Sequence, residues 1–268
     1  MTVAYDSLEP LESLARDLMR QSHAPQHWLV VDNAPRSAPL DLSPAPRAAG
    51  AIRVEGREGA GFGAGCNQAF DQLCLNPWQG WVWLLNPDTS LASSDLLARF
   101  AHTLAGLSAK TVVGTAVVDD QENVEPSGGW IEAGLAFRRR RIGRHHLSPV
   151  LRPTAHTPPA RFDPAFPLYY EDIDLCLRLG QGGAPVLWSS NVRVAHQRGR
   201  GSGGTSARRQ RLSTISYWRF LQRYSPGRVR ALRGARPLLY SLLRLPSHPA
   251  NSCAALAGSL EAWREPVR

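Results

Sequence analysis

The run WVWLLNPDTSL (residues 81–91) sets the architecture of this 268-residue chain. Its apolar residues follow one another without polar alternation, the pattern of a strand buried on both faces in a sheet covered by helices. The strand has to stop at Asn86-Pro87, because proline brings no N–H to a central ladder. Immediately beyond stands Asp88. A second run of this kind, HWLVVDN (27–33), also ends in an acid, Asp32.

Outward from these two strands the chain alternates. TVAY (2–5) is a first strand, and Leu8, Leu11, Leu14, Ala15 and Leu18 then fall on one face of a helix over 8–20. After HWLVVDN come a Pro/Ala-rich loop (34–50), a short strand AIRVEG (51–56) and the glycine-rich GAGFGAGCNQAF (59–70), whose second half is expected to be helical. Ser93 or Ser94 caps a helix through Phe100 and Leu104, and TVVGTAVV (111–118) is a further strand. This β-α-β-β-α-β order predicts an α/β sheet that binds its ligands where the strands end.

Composition narrows the function classes. The net charge of +9 comes almost wholly from arginine, Lys110 being the single lysine. Such a surface suits a polyanion, an anionic membrane face or a phosphorylated small molecule, or reflects an arginine-rich composition alone. Cys66, Cys74, Cys176 and Cys253 form no C-x-x-C pair, which argues against a zinc cluster or disulfide framework and fits a reducing cytoplasm. The N-terminus lacks the pattern of a signal peptide, and no apolar run is long enough to span a bilayer. Two stretches are basic: FRRRRIGRHH (137–146), a solvated loop or an anion contact, and RGRGSGGTSARRQR (198–211), expected to be a mobile loop before a helix over about 213–223.

Several strand ends and loops carry candidate chemistry. Asp32 either caps its own turn or accepts hydrogen bonds from a base or sugar. Gly59-x-Gly61-x-x-Ala64 fits a dinucleotide fingerprint loosely, and fits equally a tight loop where backbone approaches a neighbour, with Asn67 starting a helix. Asn86 and Asp88 form an Asp-x-Asp-like pair with its first acid replaced by Asn. That is a ligand set for Mg²⁺ or Mn²⁺ with substrate phosphates, or else an Asx-Pro turn. His196, closing the strand VRVAHQ, is a structural histidine or a third ligand. The segment FPLYYEDIDLCLRLG (166–180) predicts a helix from about Tyr170 with Glu171, Asp172 and Asp174 in its first turn. Asp174 suits the macrodipole and an i,i+4 pair with Arg178, while Ile173, Cys176 and Leu177 cover the core face with Leu175 and Leu179 beside it. The adjacent Glu171-Asp172 pair has no such structural explanation, and neighbouring carboxylates among aromatics can poise one as a general base.

Taken in order, VAYDSLEPLESL, LVVDNAP, GFGAGCNQAF, WLLNPDTSL, FDPAFPLYYEDIDLCLRL and VRVAH resemble the family-2 inverting glycosyltransferases of the GT-A fold. The nearest likeness is to the bacterial rhamnosyltransferase-like branch that builds cell-surface polysaccharides. The resemblance implies a Rossmann-like mixed sheet flanked by helices (1–206) with a basic helical C-terminal extension (207–268). It implies a nucleoside-diphosphate sugar as donor, rhamnose being one candidate, a glycan or lipid-linked acceptor, and a divalent cation, Mg²⁺ or Mn²⁺. Tyr5, Asp32 and Asn33 would hold the base and ribose, Gly61, Phe62 and Asn67 would lie under the nucleotide-sugar, and Asn86 and Asp88 would face the diphosphate. Asp88 and His196 would hold the metal, with Asp172 as base and Glu171 beside it. Arg198, Arg200 or the run ARRQR could add charge near the phosphates.

The expected location is the cytoplasm. There GRVRALRGARPLLYSLLRL (227–245) either lies on the anionic inner leaflet or packs as a terminal helix. No nucleic acid is expected as a partner. The alternatives are a basic nucleic-acid module, an NAD-dependent enzyme using the glycine-rich loop, and a transferase-like protein that binds nucleotide without turnover.

Overall fold

The computed structural model describes residues 1–34, 41–57, 59–75, 80–119, 121–124, 130–131, 137–138, 150–151, 161–196 and 206–266. In chain order the elements are β1 (Thr2–Ala4), α1 (Leu8–Met19), β2 (Trp28–Asp32), α2 (Pro44–Ala48), β3 (Ala51–Glu55), α3 (Phe62–Leu75), β4 (Val82–Trp83), β5 (Thr89–Ser90) and α4 (Leu96–Ala105). They continue as β6 (Val112–Val118), β7 (Trp130–Ile131), β8 (Phe137–Arg138), β9 (Val150–Leu151), α5 (Glu171–Gln181), β10 (Val186–His196), α6 (Ser206–Tyr224), α7 (Gly227–Leu243) and α8 (Pro249–Arg264).

β1, β2 and β3 form a parallel sheet in that order, with Ala4 beside Asp32 and Asp32 beside Glu55. A second sheet runs β4-β9-β6-β10-β5, in which β6 and β10 are parallel and the pairings of β4 with β9, β9 with β6 and β10 with β5 are antiparallel. Met1 joins the two sheets. Its amine donates to the Trp83 carbonyl at 2.7 Å, and its own carbonyl accepts from Leu85 N at 3.0 Å. That bonding pattern is parallel, so β1, β2, β3, β4, β6 and β10 all end at one edge.

Alternation along the strands feeds two cores. Ala4, Val30, Trp83, Leu85, Val113 and Val117 pack with Leu11, Leu14 and Leu18 of α1 and with Leu96, Phe100 and Leu104 of α4. Val3, Val31, Val82, Leu84 and Val112 face the other way, onto Cys66, Ala69 and Phe70 of α3, Phe162 and Leu175 of α5. The result is a sheet with helices on both faces. The last three helices pack on one another. Trp218 of α6 donates from its indole to Ser259 of α8 at 2.9 Å, and a Cβ on Gly234 of α7 would stand 1.8 Å from the Trp218 ring.

Several expectations are corrected. The strand expected to run to Asn86 is shorter as a ladder: β4 covers only Val82–Trp83 against β9, and beyond it Leu85 N bonds to the Met1 carbonyl. α2 forms inside the Pro/Ala-rich stretch, started by prolines whose fixed φ suits a first helical turn. Asp95, not Ser93 or Ser94, precedes α4, and the Ser93 hydroxyl is spent on the Asp95 carboxylate. The ARRQR run is helical, since α6 begins at Ser206, where Arg208 and Arg211 find partners on other elements.

The buried face of α5 is corrected in part: Leu175 is in the core with Cys176 and Leu179 packed against it, as expected, but Glu171 and Asp174 are buried too, while Ile173 and Leu177 are only half-buried. The carboxylate of Asp174 can go inside because α6 supplies donors for it. FRRRRIGRHH beyond Arg138, Arg198 and Arg200 lie outside the described residues.

Candidate active site

The common strand-end edge collects the residues singled out in the sequence. β1 delivers Tyr5 and β2 delivers Asp32 and Asn33, with Asn33 N donating to the Ala4 carbonyl at 3.0 Å. Asp32 accepts from Ala34 N at 3.3 Å, and the Arg53 guanidinium of β3 stands 3.9 Å from its other oxygen. Asn33 is buried and works inward. Its Nδ2 donates to the carbonyls of Ala60 and Gly61 at 3.0 and 3.3 Å, pinning the glycine-rich loop to the end of β2.

That loop is tight because the chain folds back onto it. A Cβ on Gly61 would lie 1.9 Å from the Pro167 carbonyl oxygen, so only glycine allows the segment carrying Tyr169 to Asp172 to come this close. Phe62 stacks edge-on against Phe162, with ring centroids 6.0 Å apart. Asn67 clamps the same segment from α3, donating to the Phe162 carbonyl and accepting from Phe162 N, both at 2.9 Å. Asn67 is therefore spent on the protein itself, holding the approach to α5, while Asn33 holds the loop through Nδ2 and has a buried Oδ1 with no hydrogen-bond partner.

On the far side of the edge, the pairing of β5 with β10 sets Thr89 opposite His196. This register brings the neighbouring Asp88 to His196, with Nε2 3.3 Å from Oδ2, both groups mostly buried. Asn86 opens the same turn, its carbonyl accepting from Thr89 N at 3.2 Å. Among the described residues, no group of three or more His, Cys, Asp or Glu side chains could hold a metal ion. Asp88 and His196 nevertheless suit a cation that takes its remaining ligands from a diphosphate and water. Two neighbouring ligands of an ion held at about 2.1 Å stand about 3 Å apart, close to the observed spacing. A mixed oxygen and nitrogen pair favours Mn²⁺ over Mg²⁺, which takes oxygen ligands.

The third component is the first turn of α5. A short turn after Gln181 leads α5 into β10, so α5 runs back across the sheet and its N-terminus stands at the strand-end edge. Tyr169 and Tyr170 enter it with φ of 63° and 66°, two consecutive non-glycine residues in the left-handed region. Such backbone costs about 1–3 kcal/mol per residue and persists only where its surroundings fix it. Here α6 does so: the Tyr170 ring lies 5.0 Å from Phe220 and 6.1 Å from Tyr217, and Leu168 N donates to Ser216 at 3.3 Å.

The three acids that follow have different surroundings. Asp174 is fully buried and accepts from Arg178 Nε, Arg223 Nη1 and the Tyr224 hydroxyl, each at 2.7 Å. Arg223 also reaches Asp163 at 2.7 Å, so α6 is latched to the α5 segment by charge-assisted bonds. Burial, then the bond to Asp174, pushes the Tyr224 phenol up from its ordinary value. Glu171 is 7% exposed, yet its Oε2 has no hydrogen-bond partner. Burial, and then the charge of Asp172 beside it, pushes the Glu171 carboxyl up to about 8. Asp172 is only half-buried, and one of its oxygens accepts from Ile173 N at 2.8 Å.

Sequence reasoning named the ARRQR run without choosing among its residues, and α6 makes the choice. Arg208 donates to the Gly59 carbonyl at 3.0 Å, approaches the Tyr5 hydroxyl at 3.4 Å and lies over the Tyr5 ring at 5.5 Å. The α6 side of the acid turn, Arg223 and Tyr224, went unnoticed because nothing local to residues 166–180 signals a partner some 50 positions away.

No protein-family model matches the sequence, and no curated protein matches it. Solved structures do. The mannosyltransferase PcManGT from Pyrobaculum calidifontis, in complex with GDP-Man and Mn²⁺, superposes with a TM-score of 0.52 at 12% identity, over 100% of this chain and 75% of that one. S. aureus TarS 1-349 in complex with UDP-GlcNAc gives a TM-score of 0.54 at 14% identity, over 98% of this chain and 90% of that one. Against the longer S. aureus TarS structure the TM-score is 0.52 at 14% identity, and this chain spans 54% of its length. At such identities the likeness carries the fold. This chain has the α/β GT-A arrangement, a Rossmann-like mixed sheet flanked by helices, with a helical C-terminal region.

Proposed function

We propose that the chain is a metal-dependent inverting glycosyltransferase. It transfers a sugar, with rhamnose a candidate, from a nucleoside diphosphate to a glycan or lipid-linked acceptor in cell-surface polysaccharide synthesis, on the cytoplasmic side. Residues 1–206 form the transferase unit and 207–268 its extension. One observation carries the reading. The Asp88–His196 pair, the Tyr5–Asp32 strand ends and the half-buried Asp172 stand on one edge of a fold shared with a mannosyltransferase bound to GDP-Man and Mn²⁺.

Each residue then has a task. Tyr5, with Arg208 over its ring, and Asp32 hold the nucleoside, and Gly61 and Phe62 line the floor beneath the donor. Asn33 and Asn67 act through the loop and segment they fix. Asp88 and His196, with Asn86 beside them, would hold the cation, which when bound neutralises charge on the diphosphate. Asp172 accepts the proton of the acceptor hydroxyl as its oxygen bonds to the anomeric carbon. The bond to the diphosphate breaks on the opposite face, and one carboxylate suffices for such a single displacement. Glu171, buried without a partner on Oε2, holds its own proton near neutral pH, and the base is assigned to its more exposed neighbour Asp172.

The test is a panel of UDP-, GDP- and dTDP-sugars with Mn²⁺ or Mg²⁺, read by thermal shift and by nucleoside diphosphate release. At least one donor should raise the melting temperature with the metal present and release diphosphate when an acceptor is added. Stabilisation by none of them rejects the reading. Stabilisation without release over a broad acceptor set would leave a nucleotide-binding protein that does not turn over.

A further inference from the structure

The outward face of α7 has the wrong chemistry for water. Beyond its first turn, in which Val229 is buried, its inward side is set by Gly234, Leu238 and Ser241 against the neighbouring helices. On the opposite side, at helical spacing, Leu232, Leu239 and Leu243 are 72%, 59% and 71% exposed. Leu242 and Tyr240 flank that line, also exposed. A terminal helix solvated on its outer side would carry polar residues there.

The charge around it has one sign. Residues 227–245 contain Arg228, Arg230, Arg233, Arg236 and Arg244, and no Asp or Glu occurs anywhere between Asp174 and Glu261. Arg228 and Arg236 sit one turn from Leu232 on the outer side, and both are exposed. No described helix is long and apolar enough to cross a membrane.

We infer that α7 docks this chain onto the surface of an anionic lipid bilayer, with Leu232, Leu239 and Leu243 in the acyl boundary and the flanking arginines on the headgroups. Both halves of the arrangement fit that occupant: a leucine line needs an apolar medium, and arginines on either side need anions at its margin. A second copy of the chain fits poorly, because a two-fold contact would bring the same arginine face against itself. A nucleic acid would answer the arginines but leave the leucine line facing phosphates. Held this way, the transferase edge would work beside a membrane, which extends the proposed function but does not depend on it.

The experiment is vesicle flotation of the full chain with phosphatidylcholine alone and with phosphatidylcholine containing 30% phosphatidylglycerol. The wild-type chain should float with the anionic vesicles, stay behind with the neutral ones, and detach as salt rises. Leu232→Ser/Leu239→Ser/Leu243→Ser should lower its partition at least tenfold, and Arg228→Gln/Arg236→Gln several-fold, with each variant's melting temperature reporting that it is folded. If the triple variant does not fold, the arginine pair and the salt series decide on their own. Failure of the wild-type chain to float with anionic vesicles overturns the inference. So does light scattering that shows a dimer abolished by the leucine changes while vesicle binding is unaltered.

Discussion

Asp174 and Glu171 occupy the same helical turn and are both buried, yet their surroundings are opposite. Asp174 faces α6 and accepts three hydrogen bonds at 2.7 Å, two of them from arginines. Glu171 is buried beside the charge of Asp172, with one oxygen lacking a partner. Burial removes water equally from both, so partners decide what each does. A carboxylate supplied with arginines is a structural joint, and one left short keeps its proton and becomes part of the chemistry.

The largest effect should come from the joint. Asp174→Ala leaves Arg223 partly buried with Asp163 as its remaining acid, and breaking such a pair costs about 3–5 kcal/mol. Urea unfolding would show it as a fall in midpoint. An unchanged midpoint would mean that the latch between α5 and α6 is decorative.

Gly61→Ala tests the other face of the turn. The new methyl would meet the Pro167 carbonyl, and overpacking of this kind costs about 1–3 kcal/mol. Because the displaced segment carries Asp172, transfer should fall by more than stability does. Equal losses would detach the glycine-rich loop from the chemistry.

Glu171→Gln sharpens the contrast through pH. The folded carboxyl is raised above its unfolded value, so its contribution is complete below about 4.5 and is lost as pH rises through about 8. Across that window wild-type stability should decline by up to about 1.4 kcal/mol per pH unit relative to the glutamine variant. Parallel stability curves for the two proteins would contradict a protonated Glu171. The smallest expected effect is that of Arg208→Ala, a loss of nucleotide affinity of about tenfold, or 1.4 kcal/mol, with the fold retained. Isothermal titration would measure it, and unchanged affinity would make Arg208 only a support for Tyr5 and Gly59.

How much of this was legible depended on whether the causes were local. The strand ends were readable because a buried strand announces itself by composition and stops where proline denies it a donor, which placed Asp32 and Asp88 correctly at turns. Asp88 and His196, 108 positions apart in the chain, were named together as candidate metal ligands, mainly through the family resemblance; the register of β5 on β10 that brings them together is encoded by no local pattern. The buried face of α5 was read only in part for a related reason. A helical wheel places apolar residues inward, and here two carboxylates took inward positions, one of them because Arg223 and Tyr224 arrive from α6. The start of α6 was misplaced because arginine was counted as loop composition, although it is a good helix former.

The central claim is that Asp172 is the base at a nucleotide-sugar site. The direct measurement is diphosphate release alongside donor affinity, for the wild-type chain and for Asp172→Asn, with one donor and Mn²⁺. Removing a general base should slow turnover by about 10²–10⁴-fold and leave donor affinity nearly unchanged. Turnover retained by Asp172→Asn would contradict the claim.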